Sequence, residues 1–413
     1  MVQNACELGD ENRLLGTVAK IASPNRANQA KKAASTQDVA KVLIRFWLQD
    51  IARALLPDEK VAQCLRHLAP VNPEAGAKAY VFDKVEIHYN PVTNRAGYRN
   101  LIVCERLWIC AVCAATISER RRLELSAAVE QSGLYTAMAT FTLRHNKRTH
   151  LEKSLDGVLS SYRALKSGKA WQLFKQEYGW VGDVRSLEVT YGKHGWHPHI
   201  HAMMFFQDEL SNTALAGMEK ALKRRFKAIL ERSGHSATLR SGVTVRADDQ
   251  YKKDYIAKYG RMPEIDLDSR GWTVAHEVAK ANVKVAKTDK GRTPWQLLLD
   301  YGLGDKQAAK LFIEYAQVFK GRNQLVWSRG LRERLDMERI QDEMGAIENQ
   351  QEFLTEIAKW LWLEICHAGL RGKLLQKIEE ANGDVNAAFT WLFEILDSRL
   401  AMRQRIDEHS NKQ

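Results

Sequence analysis

Two histidines in the middle of the chain have a spacing that suits a metal ion. His199 and His201 alternate with Ile200 and Ala202 in segment 195–206. Successive side chains of a strand point to opposite faces, so the two imidazoles share one face with Cα atoms about 7 Å apart. So placed, they can chelate one cation. A half-exposed strand with two ordinary histidines is the commoner meaning of an isolated pair, but His197 makes three histidines within five residues and favours the metal.

A third ligand is expected from a neighbouring strand. Segment 184–191 alternates, with Leu187 and Val189 on one face and Glu188 on the other. Glu188 fits as a metal ligand, and a solvated strand carboxylate is an equally good interpretation. His197 is the second choice, because Pro198 is expected to bend the chain there. A cation on such a face can neutralise charge on phosphoryl oxygens during hydrolysis or transfer.

Tyrosines at four-residue spacing follow in segment 249–259, which is predicted to be a helix. Tyr255 and Tyr259 lie one helical turn apart and can reach one site alternately. A tyrosine oxygen can attack a phosphodiester and retain the 5′ end of DNA as a phosphotyrosine. Lys258 lies beside this face and could stabilise the phenolate or the transferred phosphoryl group. Packing on a sheet is the alternative for such a stripe, and Tyr251 is assigned to packing or to stacking on DNA.

Three cysteines upstream have the spacing of a zinc knuckle. Cys104, Cys110 and Cys113 contain one CxxC pair, and a tetrahedral zinc site needs a fourth ligand. Candidates for that ligand are His88, Cys64 and His67. Reduced, partly buried cysteines are an equally good interpretation of the cluster.

The elements that must position these residues follow the order β-α-β-β-α-β-α between about residues 134 and 259. This order predicts an α+β domain with a ferredoxin-like antiparallel sheet and helices on one face. The flanking regions, residues 1–80 and 336–413, are predicted to be helical.

Composition limits the classes of protein. The 413 residues are 45% hydrophobic and 27% charged, which is typical of a globular chain. The six cysteines are too few for a disulfide scaffold. No apolar run approaches the ~20 residues of a membrane span, and no basic-then-apolar leader is seen, so we expect a cytoplasmic protein without membrane contact. The net charge is +12, with −5 in residues 331–413 and therefore +17 in the first 330, which suggests a polyanion partner.

Taken together, these motifs resemble those of the rolling-circle replication initiators, the plasmid and phage Rep proteins of the HUH endonuclease superfamily. Segment 139–145 (ATFTLRH) looks like their Thr-rich first motif, and His199-Ile200-His201 looks like the HUH metal motif. Segment 255–259 (YIAKY) resembles the two-tyrosine YxxKY motif of the phage gene A initiators. The resemblance covers about residues 85–335. One departure is Ala111, which stands where the family often has proline in its CPxC.

The resemblance implies an HUH fold, a Mg²⁺ or Mn²⁺ ion on His199 and His201 with Glu188 as third ligand, and a nick at a plasmid origin. By the same resemblance Tyr259 is the primary nucleophile and Tyr255 the second, which ends the cycle. Expected partners are single-stranded or hairpin origin DNA, a host helicase and a host DNA polymerase. Arg144 and Lys258, beside the chemistry, are the expected phosphate contacts.

The expected organisation has five segments: a helical N-terminal region (1–80), a cysteine-containing segment with possible structural Zn²⁺ (81–128), an HUH nuclease domain (129–270), a family-specific downstream segment (271–335) and an acidic helical C-terminal region (336–413). Two alternatives remain open. One is a two-tyrosine HUH transposase or a mobilisation relaxase with the same chemistry. The other is a non-enzymatic DNA-binding regulator with a zinc knuckle, in which the tyrosines only pack.

Overall fold

A computed structural model describes residues 36–71, 80–247, 253, 256, 291–338, 341 and 350–410. The chain forms two compact units, one of Met1–Cys113 with Asp342–Gln413 and one of Ala114–Gln341. The five segments expected from the sequence are distributed over these two units, and the first and last of them share one unit. Within the described ranges, no helix combines the length and apolar character needed to cross a bilayer.

The elements are numbered in chain order. The strands are β1 (Pro70–Val71), β2 (Tyr80–Val81), β3 (Lys84–Asn90), β4 (Arg95–Arg99), β5 (Tyr135–Thr142), β6 (Trp180–Gly192), β7 (Gly195–Phe206), β8 (Val243–Arg246), β9 (Leu325–Trp327) and β10 (Glu352–Ala358). The helices are α1 (Thr36–Leu55), α2 (Ala111–Gln131), α3 (Leu151–Leu165), α4 (Gly168–Tyr178), α5 (Asn212–Arg232), α6 (Pro294–Gly302), α7 (Lys306–Phe319), α8 (Leu331–Arg334), α9 (Lys359–His367), α10 (Arg371–Glu380) and α11 (Val385–Ser410).

A five-stranded antiparallel sheet forms the centre of the unit Ala114–Gln341. Its strand order is β8-β5-β7-β6-β9, so β7 pairs with β5 on one side and with β6 on the other. Strands β6 and β7 are the long arms of a hairpin whose turn includes Gly195 at a φ of 90°, a conformation that favours glycine. The predicted antiparallel sheet in a mixed α and β chain is confirmed.

Helices cover both faces of this sheet, whereas the sequence predicted helices on one face. On one face Phe141 contacts Tyr162 of α3 and Phe226 of α5, with ring centroids 5.0 and 5.3 Å away. On the other face Met203 belongs to a buried cluster that also contains Leu125 of α2. The reason is visible in the strands, since β5 and the end of β7 are apolar at successive positions and not only at alternate ones, as expected of strands buried on both sides.

The other unit contains a three-stranded antiparallel sheet of order β10-β3-β4. Strand β10 corrects the prediction that residues 336–413 are helical throughout, because Glu352–Ala358 pairs with β3, placing Ile357 opposite Val85. Both side chains lie in one core with Trp362 of α9 and Leu374 of α10. The far ends of the sequence thus bury their apolar surface together, which supplies much of the stability of such a unit.

Within this unit, a buried arginine from the C-terminal part of the chain is hydrogen-bonded to residues from its N-terminal part. Arg371 is 1% exposed, and its guanidinium donates to Gln49 Oε1 (2.8 Å), the Leu65 carbonyl (2.9 Å) and Asp50 Oδ1 (2.6 Å). Burial lowers the pKa of Arg371, and the charge of Asp50 acts in the opposite direction. A cation buried in this way is tolerated only with such partners.

We predict that Arg371→Ala lowers the free energy of unfolding by about 2–4 kcal/mol, since it leaves the buried acceptors on Gln49 and Leu65 without this donor and removes one of the cations paired with Asp50. Urea unfolding of the full chain measures the change. Arg399→Ala is the control, because Arg399 is exposed and donates to a single carbonyl. Equal losses for the two variants would contradict the role given to Arg371.

Candidate metal centres

Three side chains from two paired strands converge on the face of the central sheet away from α3. Glu188 of β6 lies directly opposite His199 of β7, and His201 is the next residue of β7 on that face. Glu188 Oε2 is 3.2 Å from His199 Nε2 and 3.4 Å from His201 Nε2. One ligand atom from each residue lies within 4.8 Å of the others, so the group could hold a metal ion. Strand parity thus brings together the three residues that the sequence singled out.

The outer nitrogens of both imidazoles are held by other groups. His199 Nδ1 lies 3.2 Å from the His197 carbonyl oxygen, which can only accept, so this contact orients the ring when Nδ1 carries a proton. His201 Nδ1 lies 2.9 Å from the hydroxyl of Thr140, its neighbour on β5. Metal-ligating histidines usually have their second nitrogen fixed in this way, which sets the tautomer and the ring orientation.

The three side chains of the site are mostly buried, but each keeps some exposure to solvent. The side chains of His201, His199 and Glu188 are 10%, 14% and 29% exposed. Burial alone would raise the pKa of Glu188, but the neighbouring His201 and His199 more than offset this and hold that pKa well below its usual range. Glu188 is therefore a carboxylate near neutral pH. Two imidazoles and one carboxylate suit a divalent ion and leave coordination positions for water or substrate oxygens.

The second-choice ligand, His197, lies outside this group. Its Nε2 is 2.5 Å from Thr142 Oγ1, and its ring stacks on His145 with centroids 4.7 Å apart. Burial and then the adjacent His199 lower the pKa of His197 to about 4. His197 is thus neutral near neutral pH and positions Thr142, and its carbonyl orients His199. The sequence could have indicated Thr140 and Thr142. They lie two residues apart on one strand, so their side chains point to one face of the sheet, as those of His199 and His201 do on the neighbouring strand.

The expected nucleophiles Tyr255 and Tyr259, together with Tyr251 and Lys258, lie outside the described residues. Two of their sequence neighbours, Lys253 and Ile256, are described and helical. Ile256 is 7% exposed and belongs to the buried cluster with Met203 and Phe205. Those two residues have the strand parity of His199 and His201, so Ile256 packs on the same face of the sheet as the metal group.

The expected phosphate contact Arg144 is exposed and lies just beyond the end of β5. Its backbone N–H donates to the Ser236 carbonyl at 2.7 Å. Thr142, two residues earlier, pairs with His199. The structure therefore places Arg144 near the end of the strand that borders the metal group.

Four cysteines form a second possible metal centre, in the unit Met1–Cys113 with Asp342–Gln413. The sulfur of Cys113 lies 3.6 Å from the sulfurs of both Cys64 and Cys104, and Cys110 Sγ lies 3.8 Å from Cys64 Sγ. All four are buried. Tetrahedral Zn–S bonds of about 2.3 Å place the sulfurs about 3.8 Å apart, so this arrangement fits structural zinc.

Cys64 is therefore the fourth member of the cluster, among the three candidates left open by the sequence. His88 instead contacts Glu86 Oε2 at 2.8 Å, and His67 is exposed. The sequence could not decide, because Cys64 lies 40 residues before Cys104.

Two of the sulfurs also accept hydrogen bonds from N–H groups, in addition to the contacts among the sulfurs themselves. Gln49 Nε2 donates to Cys110 Sγ at 3.2 Å, and the Cys104 N–H donates to Cys64 Sγ at 3.4 Å. Hydrogen bonds from Cys104, Cys113 and Cys64 lower the pKa of Cys110, while the pKa values of Cys104 and Cys113 are raised. The protein alone thus favours the thiolate of Cys110, and a bound cation would supply the charge that favours deprotonation of Cys104 and Cys113.

Comparison with known proteins gives two relatives. The chain is 28% identical over 295 residues to "Protein rep" of Streptomyces lividans, which covers 58% of this chain and 64% of that protein. The chain is similar to a Rep protein. It is also 31% identical over 132 residues to "Neomycin resistance protein" of Streptomyces cyanogenus, which covers 25% of this chain and 30% of that protein. No family model and no solved structure matches the chain.

We predict that the purified chain carries about one zinc ion, and that Cys64→Ser reduces this to below about 0.2 per chain because a tetrahedral site loses one of four ligands. Inductively coupled plasma mass spectrometry measures the content. Cys366→Ser is the control, since Cys366 is a buried free cysteine outside the cluster. Full zinc content in the Cys64 variant would contradict this assignment.

We predict that Thr140→Val weakens Mn²⁺ binding by about 10- to 100-fold, because it removes the partner that orients His201. Titration of the metal-free protein, followed by electron paramagnetic resonance of free Mn²⁺, gives the affinity. The matched control is Thr136→Val, on the same strand and face but opposite Phe205. An unchanged affinity in the Thr140 variant would remove that residue from the site.

Proposed function

We propose that this chain is a plasmid replication initiator that nicks one strand at an origin and starts rolling-circle replication. The observation that carries the proposal is the convergence of Glu188, His199 and His201 on one sheet face, at a group that could hold a divalent ion. Similarity to a protein named Rep supports the biological setting. The net charge of +17 in the first 330 residues supports binding to DNA.

The sheet supports a ferredoxin-like fold of the HUH type. Strands β5 and β6 run in the same direction with the antiparallel β7 inserted between them, and β8 pairs on the outer side of β5. This is the arrangement of a split βαβ unit. It puts the histidines on the central strand, within reach of ligands from both neighbours.

Tyr259 is the proposed nucleophile. It follows Ile256 by three positions in the sequence, and residues three apart on a helix lie on one face. Ile256 packs on the face that carries His199 and His201, so the helix predicted from the sequence for segment 249–259 would present Tyr259 to the metal group. Tyr255 is four residues earlier and is the proposed second nucleophile.

In the proposed reaction the Tyr259 oxygen attacks the scissile phosphorus. The phenol loses its proton, a bond forms between its oxygen and phosphorus, the bond from phosphorus to the 3′ oxygen breaks, and the 3′ oxygen takes up a proton. A divalent ion, when bound, neutralises charge on the phosphoryl oxygens. Glu188 and the two histidines would hold that ion, and Lys258 and Arg144 are the proposed phosphate contacts. The free 3′-OH then primes a host polymerase, with a host helicase unwinding the duplex.

The cycle ends when Tyr255 attacks the regenerated junction and the first phosphotyrosine is resolved by the released 3′-OH. Each step exchanges one phosphoester bond for another, so no external energy source is needed. A transposase or relaxase would use the same chemistry on a different DNA, and a regulator would form no covalent bond to DNA.

The proposal is tested by trapping the covalent adduct on a panel of single-stranded hairpin oligonucleotides with Mn²⁺. We expect Tyr259→Phe to reduce the adduct at least 100-fold, because the phenol oxygen is the attacking atom. Tyr255→Phe should form the first adduct and fail in strand transfer. Tyr251→Phe is the matched control and should retain both activities. Denaturing gel electrophoresis measures the adduct, and its persistence in the Tyr259 variant would refute the role of that residue.

His199→Ala should lose at least 100-fold in nicking rate at saturating DNA, with the loss only weakly restored by excess Mn²⁺, because a ligand and not merely a charge is removed. The control is His235→Ala, a histidine outside the metal group. A metal dependence equal to that of the unmodified chain would argue against the centre as the site of chemistry.

A further inference from the structure

A buried glutamine connects the cysteine cluster to the C-terminal part of the chain. Gln49 lies on the inner side of α1 near the fully buried Leu48 and Ala52, and is itself 1% exposed. Its Nε2 donates to Cys110 Sγ at 3.2 Å, and its Oε1 accepts from Arg371 Nη1 at 2.8 Å. Both ends of the amide are thus hydrogen-bonded, as a polar group in an apolar helix face requires.

The arginine decides which end of the amide faces the sulfur. A guanidinium has donors and no acceptor, so the oxygen of Gln49 must face Arg371 and the NH₂ group is left to face Cys110. A thiolate can only accept hydrogen bonds, whereas a thiol can also donate one. The arrangement therefore suits the thiolate form of Cys110, which is the form that binds a metal ion.

The C-terminal part of the chain also holds the backbone beside a second cysteine. Cys64 is followed by Leu65, whose carbonyl accepts from Arg371 at 2.9 Å, and by Arg66, whose carbonyl accepts from Trp362 Nε1 at 2.8 Å. The two donors belong to α10 and α9, 306 and 296 residues along the chain from their acceptors. Neither donor is part of the sulfur cluster, yet both fix the segment that carries Cys64.

The charge of a zinc–thiolate centre gives these contacts an electrostatic role. Four thiolates on one Zn²⁺ carry a net charge of about −2, and a buried charge is costly without hydrogen-bond donors and nearby positive charge. Gln49 supplies a donor directly, and the buried Arg371 supplies positive charge behind it. Removing such groups from the surroundings of a metal site typically weakens its affinity by about 10- to 100-fold.

We propose that Gln49 and Arg371 are positioning residues of the zinc site, and that zinc binding and the attachment of α10 to the N-terminal part of the chain stabilise each other. Gln49 acts on Cys110, and Arg371 acts through Gln49 and through the backbone beside Cys64. Coupling between two equilibria is reciprocal, so a change that loosens α10 weakens zinc binding, and loss of zinc loosens α10. DNA takes no part in this coupling, so its test is independent of the nicking activity proposed above.

The first test measures the zinc affinity of the reduced, metal-free full chain by competition with a chromophoric chelator. We expect Gln49→Met, which keeps the length of the side chain and loses both hydrogen bonds, to weaken binding about tenfold or more. Gln49→Glu keeps an acceptor for Arg371 but loses the donor to sulfur, and should weaken binding at least as much. A residue that only anchored the arginine would tolerate this second change without loss of affinity.

The matched control is Gln376→Met. Gln376 is a buried glutamine of α10 in the same unit, and its Nε2 donates to Glu380, outside the cysteine cluster. This variant should bind zinc as the unmodified chain does.

The second readout is the sulfur-to-metal charge-transfer absorption of the chain loaded with Co²⁺. A hydrogen bond to a thiolate lowers the energy of the sulfur lone pairs, so loss of the Gln49 N–H should move the band to longer wavelength in both Gln49 variants. Gln376→Met should leave the band in place. A loss of packing alone would reduce the affinity without moving the band.

The reciprocal effect needs no variant and stays measurable if the Gln49 variants do not fold. We expect hydrogen–deuterium exchange of α10 in the unmodified chain to be faster after a chelator has removed zinc, while exchange of α5 in the other unit stays unchanged. Four results would overturn the proposal: unchanged zinc affinity in Gln49→Glu, an unmoved band in both Gln49 variants, exchange of α10 that does not respond to zinc, or no zinc binding by the unmodified chain.

Discussion

The candidate metal group depends on one constraint, the register of β7 between β5 and β6. Pairing on both sides fixes the strand so that His201 faces Thr140 and His199 faces Glu188. A slip of one residue would turn every side chain of β7 to the other face. The apolar residues Ile200 and Ala202, both fully buried, make such a slip costly because it would expose them and bury the imidazoles. The hydrophobic core therefore holds the ligand geometry in place.

The same alternation lets one sheet serve two chemically different faces. Adjacent residues of β6 point in opposite directions, Glu188 toward the histidines and Leu187 toward the face covered by α3, where Arg163 and Arg185 line a cavity. On the metal face, Met203 and Ile256 belong to an apolar cluster that does not include the two histidines. The side chains of these histidines are only partly exposed. Ligands held on paired strands are positioned more rigidly than ligands on loops. Each ligand position on the strands must therefore satisfy both strand packing and site chemistry.

Much of this could be read from the sequence wherever the information is local. Parity within β6 and β7 identified Glu188, His199 and His201, because a strand's faces follow directly from residue numbers. Cys64 could not be distinguished from His67 or His88, since closing the cysteine cluster depends on tertiary contact across 40 residues. Strand β10 was missed for a similar reason. Its partner β3 lies more than 260 residues away, and an acidic segment between helices gives a weak strand pattern.

The two metal groups differ in a way that bears on their roles. Four cysteine sulfurs, at separations that match a tetrahedron, would use every coordination position of a zinc ion and leave none for a substrate. Glu188 with two imidazoles supplies three ligands and leaves positions for oxygen atoms. The cysteine group also takes donors from Gln49, whose carbonyl end accepts from the buried Arg371, so it belongs to the packing of its unit. The histidine group has hydrogen-bond partners that orient its rings but leave its Nε2 atoms facing the site. The first group therefore suits a role in stability, whereas the second keeps coordination positions at which a bound ion could hold a further ligand.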